Sequence, residues 1–185
     1  MMEYKMGNMA ALDDIFQRYK KPIFNYALRL LNNFADAEDV VGEVFLILTS
    51  KKDSYKPQAK FSTWLYNIAH NICITKIRKR KKLIPLWFRD EKSFDFKELQ
   101  IPDERYSPVV EIEAKETARY IKEAIQKLPL IQKEAIILRE YHNLSYEEIG
   151  KIMHCSFNKV KILIFRARKR LRKELLFLVK EESDV

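Results

Sequence analysis

Residues 144–173 constrain the fold most, because they encode two helices separated by a tight turn. The first helix opens with a capping box, in which Ser145 and Glu148 each satisfy a backbone donor at the helix start. The turn follows at His154, a position where glycine is usual because the backbone must be left-handed, and histidine tolerates that conformation. Ser156 can then cap the second helix.

The second helix has one apolar stripe and is otherwise basic. Apolar residues recur at helical spacing at Val160, Ile164, Ala167 and Leu171. Basic residues surround the stripe, with no acid among them, at Lys159, Lys161, Arg166, Arg168, Lys169, Arg170, Arg172 and Lys173. Two crossing helices with a basic second member are typical of proteins that insert a helix into the major groove of DNA. A solvated face or a membrane-surface helix is the alternative interpretation.

Two apolar residues of this helix lie off the stripe. At about 100° per residue from Val160, Ile162 and Phe165 fall far from the buried side. We therefore expect both side chains to face DNA or a protein partner.

Composition narrows the class of protein. The chain has 185 residues, only three glycines and a net charge of +9, which favours an all-α fold and a polyanionic partner. No apolar run reaches the length of a membrane span, and the N-terminus has no signal-like apolar core. The two cysteines form no disulfide framework, so we expect a cytoplasmic protein.

The N-terminal part predicts three helices. The first covers about residues 9–19, and Pro22 is expected to start the second. The third, residues 36–49, carries acids at Asp36, Glu38, Asp39 and Glu43. These acids either compensate the helix dipole or form a docking patch for a basic partner.

A long helix over residues 62–82 combines aromatic and amide side chains with a basic end. The residues that suit single-stranded nucleic acid are Phe61, Trp64, Asn67, His70, Asn71, Lys76, Arg78, Lys79 and Arg80. Bases stack on aromatic rings while cations follow the phosphates. If Phe61 and Trp64 were simply residues of the hydrophobic core, both rings would be buried. We predict instead that one of the two is buried and that the other lies near the DNA path.

Residues 85–114 are rich in acids and interrupted by prolines, and they predict a flexible linker between domains at 1–84 and 115–185. This linker could enter a basic channel or act only as a tether. Helices predicted over about 109–127 and 128–141 complete the second domain. No catalytic constellation is present, so we expect no enzyme activity and no cofactor. His70 and Cys73 could form half of a metal site, but no second pair of metal ligands accompanies them, so we expect no bound metal.

Three segments together resemble a bacterial RNA polymerase sigma factor of the extracytoplasmic-function (ECF) type. They are ALRLLNNFADAEDVVGEVFLIL (27–48), FSTWLYNIAHNICITKIRKRKK (61–82) and AIQKLPLIQKEAIILREYHNLSYEEIGKIMHCSFNKVKILIFRARKRLRK (124–173). The resemblance implies two helical domains, similar to sigma regions 2 and 4. It also implies core RNA polymerase and promoter DNA as partners, and it suggests an anti-sigma factor.

The resemblance also implies roles for the residues above. The acids Asp36, Glu38, Asp39 and Glu43 would dock on the β′ clamp helices, and the segment from Phe61 to Arg80 would bind and melt the −10 element. The second domain would contact the β flap and read the −35 element through Ser156, Phe157, Asn158, Lys159, Lys161, Ile162, Phe165, Arg166 and Arg168.

The predicted function is therefore that of a promoter-specificity subunit. The alternative is a free-standing helix-turn-helix regulator whose N-terminal domain senses a ligand. The aromatic and basic segment 61–82 argues against it, since a ligand-sensing domain does not need such a surface. A third possibility, an RNA-binding or membrane-surface protein, is supported only by the net positive charge of the chain.

Overall fold

The computed structural model describes residues 1–52, 55, 60–83 and 108–176. Side chains are described for all of these residues except 81–83 and 108–115. Within these residues the chain forms helices and no strand. The helices are α1 (Met2–Lys5), α2 (Ala10–Leu31), α3 (Phe34–Ser50), α4 (Phe61–Leu83), α5 (Pro108–Gln126), α6 (Leu130–Glu140), α7 (Tyr146–Ile152) and α8 (Phe157–Glu174). The all-α prediction is confirmed. Most of the predicted linker lies outside the described residues, and α5 begins at Pro108.

Helix α2 is continuous, so the prediction that Pro22 starts a new helix was wrong. Proline removes one backbone hydrogen bond and usually kinks or ends a helix. Here apolar positions continue on the same side beyond Pro22, and Ile23 and Tyr26 are fully buried. Packing of that side against the other helices outweighs the local cost of the proline.

The break between α2 and α3 depends on two consecutive asparagines. Asn32 ends α2 in the left-handed conformation, with φ of 50°. Asn33 is extended, and its side-chain oxygen accepts a hydrogen bond from the Asp36 amide at 2.8 Å. The chain can therefore reverse direction within two residues, because asparagine tolerates the left-handed region and also caps helices.

The first domain is a core of α2, α3 and α4 with α1 against it. Its buried apolar residues include Leu30, Val40, Val44, Leu48, Leu65, Ala69 and Cys73. Burial raises the pKa of the Cys73 thiol well above its usual range, as expected for a packed cysteine rather than a reactive one. Cys73 is therefore part of the core, and His70 points elsewhere.

The second domain confirms the predicted helix-turn-helix. Both halves of the capping box form: Ser145 Oγ accepts from the Glu148 amide, and Glu148 Oε2 accepts from the Ser145 amide. His154 adopts the predicted left-handed conformation, with φ of 52°. The predicted stripe of α8 packs inward against α6 and α7, with Val160, Ile164 and Ala167 buried.

Glycine is required at one point of this motif. A Cβ on Gly150, in α7, would lie 2.7 Å from the carbonyl oxygen of Cys155. That oxygen belongs to the backbone of the turn and cannot move without displacing α8. Gly42 in α3 differs, because a Cβ there would meet nothing within 4 Å.

The two domains pack directly on each other. Helix α6 lies against α2, and α7 lies against α4. No helix in the described ranges has the combined length and apolar character needed to cross a bilayer.

The two glycines provide a matched test of the turn. Gly150→Ala should lower the free energy of unfolding by about 1–3 kcal/mol, the usual cost of overpacking against an atom that cannot relax. Gly42→Ala should raise it by about 0.5–1 kcal/mol, because alanine favours an open helix position. Urea denaturation of both variants measures this, and equal effects would show that the turn tolerates the methyl group.

Candidate nucleic-acid interface

Helix α8 presents a continuous outward face. Ser156 caps it by accepting a hydrogen bond from the Lys159 amide at 3.3 Å. Ile162 is 49% exposed and Phe165 is 66% exposed, as the helical spacing predicted. All residues predicted to contact the −35 element are exposed. One of them, Arg168, makes an ion pair with Glu140 of α6 at 2.7 Å, within the same domain.

The aromatic residues at the start of α4 form a cluster. Phe61 and Trp64 lie near each other, and Tyr55 contacts both rings with centroid distances of 5.6 and 5.4 Å. Tyr19 of α2 also contacts Phe61. Both rings are half-buried, so the expectation that one of the two would be buried was wrong. The cluster holds both residues at the domain surface.

The basic end of α4 folds over the acidic start of α3. Lys76 Nζ lies 3.1 Å from Asp39 Oδ2 and 3.3 Å from Glu43 Oε1, and Arg80 pairs with Asp36. Partial burial alone would lower the pKa of Lys76, but the hydrogen bonds to the two acids raise it. Glu38, Asn71, Arg78 and Lys79 are exposed. The predicted docking acids and the predicted DNA-binding cations are therefore neighbours.

The middle of α4 faces the second domain. Asn67 Nδ2 lies 3.3 and 3.4 Å from the carbonyl oxygens of Lys151 and Ile152, and 3.2 Å from Nε2 of His154. His70 Nδ1 lies 2.5 Å from Glu134 Oε1. Two residues predicted to contact the −10 element, Asn67 and His70, are thus half-buried against α6, α7 and the turn.

Sequence reasoning missed the centre of this contact. Glu134 is only 1% exposed, and Tyr26 also donates a hydrogen bond to its Oε1 at 2.6 Å. Burial, followed by the charge of Glu134, raises the pKa of Tyr26 well above its ordinary value. The available signal was a carboxylate in an apolar segment, IQKEAIIL, where an unpaired charge would be costly.

A histidine completes the contact between the domains. His142 Nδ1 lies 2.7 Å from the hydroxyl of Tyr66, and its ring also contacts that of Tyr26. Burial lowers the pKa of His142 to about 4, and the positive charge of Arg29 acts in the same direction. The imidazole is therefore neutral at physiological pH.

Comparison with known proteins matches both domains to one family. Residues 15–83 match Sigma-70 region 2, and residues 118–171 match Sigma-70, region 4. The ECF RNA polymerase sigma factor SigW of Bacillus subtilis is 35% identical, covering 94% of this chain and 93% of that protein. The RNA polymerase sigma-H factor of Pseudomonas aeruginosa is 31% identical, covering 95% and 91%.

The chain belongs to the ECF sigma factors. Its function is in promoter-directed transcription initiation by RNA polymerase. The fold agrees: the sigma factor RpoE of Bartonella quintana, solved in complex with the anti-sigma factor NepR, superposes with a TM-score of 0.68 at 24% identity, covering 95% of this chain and 98% of that one.

The pKa of His142 gives this sigma factor a specific pH dependence. An imidazole in an unfolded chain protonates near pH 6.5. Between about pH 6.5 and 4 the native state therefore binds fewer protons than the unfolded state, and stability falls as the pH drops through this window. His142→Gln should reduce this fall by up to about 1.4 kcal/mol per pH unit.

Two measurements check this dependence. Urea denaturation between pH 4.5 and 7.5 reports the slope for wild type and variant. An NMR titration should show no protonation of His142 above about pH 5. A midpoint near pH 6.5 for this ring would contradict its burial.

Proposed function

We propose that residues 1–84 of this sigma factor dock on core polymerase and capture the −10 element, that 115–185 read the −35 element, and that 85–114 link the two. The observation that carries this proposal is the outward side of α8, which exposes three large apolar side chains, Phe157, Ile162 and Phe165, among exposed cations. A solvated helix face does not need exposed isoleucine and phenylalanine.

On the −35 element, the two kinds of side chain have different tasks. Lys161 and Arg166 hold phosphates, which fix orientation and carry no sequence information directly. Ile162 and Phe165, both exposed, would contact the base edges, because apolar side chains discriminate by contact with the thymine methyl group. Ser156, Phe157, Asn158 and Lys159 at the start of α8 would approach the groove first, as the first turn of a recognition helix does.

On the −10 element, the half-buried cluster of Phe61 and Trp64 would stack on bases that leave the duplex. Asn67, His70 and Asn71 supply donors and acceptors for base edges, and the cations Lys76, Arg78, Lys79 and Arg80 follow the backbone. Binding of the extruded bases would offset the cost of unstacking them.

Docking on polymerase would use the acids of α3. Asp39 and Glu43 lie on one side of the helix and share Lys76, yet their side chains remain 63% and 51% exposed. A basic polymerase surface, the β′ clamp helices, could replace Lys76 as their partner. Asp36 is less accessible because Arg80 covers it, so we assign it a supporting role beside Glu38.

Other parts of the function follow from the family. The protein would act in the cytoplasm, contact the β flap through its second domain, and assist the polymerase without being an enzyme itself. An anti-sigma factor is a further expected partner, as for RpoE with NepR. The alternative, a regulator with a ligand-sensing N-terminal domain, is not favoured, because residues 15–83 match Sigma-70 region 2.

Charge reversal tests docking. The double variant Asp39→Lys, Glu43→Lys should bind core polymerase at least about tenfold more weakly, because both attractive contacts become repulsive. Its free energy of unfolding should change by less than about 1 kcal/mol, because the acids are exposed. The control is Asp13→Lys, Asp14→Lys, the same charge change on exposed residues of α2. Equal weakening by both variants would mean that only net charge matters.

Base substitution tests readout by α8. Duplexes selected from a randomised pool by the polymerase complex define the −35 element. Ile162→Ser should then lower affinity by up to about 1 kcal/mol, roughly fivefold. Replacing the contacted thymine by uracil should weaken wild type similarly and the variant almost not at all. Ile131→Ser, an equally exposed isoleucine of α6, serves as control. Absence of coupling at every thymine would refute groove contact by Ile162.

A further inference from the structure

The aromatic cluster at the start of α4 contains one buried ring that the proposed function does not use. Tyr55, which lies between α3 and α4, is only 6% exposed, whereas Phe61 and Trp64 are half-buried. Its ring meets that of Phe61 at an angle of 86° and that of Trp64 at 62°, the edge-to-face arrangement that aromatic pairs favour. A single enclosed ring therefore supports both of the partly exposed rings.

The backbone of Tyr55 is held by the N-terminal helix. Lys5 Nζ, in α1, donates a hydrogen bond to the carbonyl oxygen of Tyr55 at 3.1 Å. The neighbouring Tyr4 is buried, and Lys52 Nζ lies 5.7 Å from the centre of its ring. Helix α1 thus contacts the chain beyond α3 at two points, Lys52 and Tyr55.

Helix α1 is too short to be stable through its own backbone hydrogen bonds. It has four residues, and isolated helices shorter than about 12–15 residues are marginal in water. Gly7 follows with a φ of 97°, a conformation open to glycine, and lets the chain turn from α1 into α2. The contacts of Tyr4 and Lys5 therefore stabilise α1, and the same contacts fix the backbone at Tyr55.

We propose that Tyr55 and Lys5 are positioning residues for capture of the −10 strand. Lys5 fixes the backbone of Tyr55, and the Tyr55 ring holds Phe61 and Trp64 in the orientation in which they stack on bases. This inference rests on the proposed role of those two rings in −10 capture. Tyr55 itself is buried and does not need to touch DNA. Its effect is to order the stacking rings before DNA binds, since a ring that is already ordered loses less freedom on binding.

Paired substitutions separate the positioning role from general packing. Tyr55→Leu keeps an apolar side chain but removes the ring, whereas Tyr55→Phe keeps the ring and is its conservative partner. Lys5→Met removes the charged donor from a half-buried position, whereas Lys5→Arg retains a donor. Lys21→Met, the same charge change on an exposed lysine of α2, is the control. If Tyr55→Leu fails to fold, Lys5→Met still tests the proposal.

The orientation of the rings can be followed without DNA. The chain has two tryptophans, Trp64 and Trp87, so Trp87→Phe leaves Trp64 as the only indole. In this background, Tyr55→Leu and Lys5→Met should shift the emission of Trp64 to longer wavelength and increase its quenching by acrylamide. The reason is that a ring released from its edge-to-face contact is more accessible to water. Tyr55→Phe, Lys5→Arg and Lys21→Met should change neither signal.

Strand capture is measured with the complete polymerase complex. The probe is a single-stranded oligonucleotide that carries the −10 element of a promoter selected by the wild-type complex. Tyr55→Leu and Lys5→Met should weaken binding of this strand about threefold to tenfold, as expected when part of the base stacking is lost. Their affinities for core polymerase and for duplex −35 DNA should match wild type, because those contacts use α3 and α8. The conservative variants should bind the strand like wild type.

Three results would contradict the positioning role. Unchanged quenching in both disruptive variants would show that Tyr55 and Lys5 do not hold the rings. Increased quenching with unchanged strand affinity would show that ring orientation does not matter for capture. An equal loss of affinity for core polymerase, duplex and strand would indicate a general loss of folding.

The proposed function is tested separately by Phe61→Ala and Trp64→Ala. If both variants bind the −10 strand like wild type, the stacking role of the two rings fails. The quenching of Trp64 in the Tyr55 and Lys5 variants still reports whether these residues hold the ring, because that measurement involves no DNA. Failure of stacking and failure of positioning are therefore distinguishable.

Discussion

The arrangement of the two domains depends on one buried carboxylate. Glu134 lies on α6 of the second domain, yet its hydrogen-bond donors, Tyr26 and His70, come from α2 and α4 of the first. A carboxylate removed from water is costly unless donors reach it, and here they reach it only when both domains are in place. The same oxygen therefore fixes the position of α6 on both α2 and α4.

This polar contact contrasts with the interiors of the domains. Residues such as Leu48 and Leu65 in the first domain, and Ile149 and Ile164 in the second, are buried and apolar, and these cores maintain each domain by excluding water. The contact between domains adds directional hydrogen bonds at Glu134 and His142 to apolar packing, since buried residues of both domains belong to one hydrophobic cluster. The chain thus joins two helical domains through a junction whose hydrogen bonds make it specific in geometry.

Local features of the sequence predicted the second domain well. The capping box at Ser145, the left-handed His154 and the exposed Ile162 depend on neighbours within a few residues, so spacing was sufficient. Long-range features were not predictable in this way. The continuity of α2 through Pro22 depends on packing against other helices, and the partners of Glu134 are 108 and 64 residues away. The roles of individual residues toward DNA and polymerase stay predictions.

The left-handed turn residue has a further consequence. Glycine would adopt the conformation of His154 without steric cost, but it would have no side chain. With histidine, the turn holds a left-handed φ of 52° and also places Nε2 3.2 Å from Asn67 of the other domain. Local strain in the motif is thus coupled to a tertiary contact. Substitution of His154 by glycine would relieve the backbone strain and stabilise the isolated turn, but it would remove the contact with Asn67. The helix-turn-helix that is most stable by itself is therefore not the one that best joins the two domains.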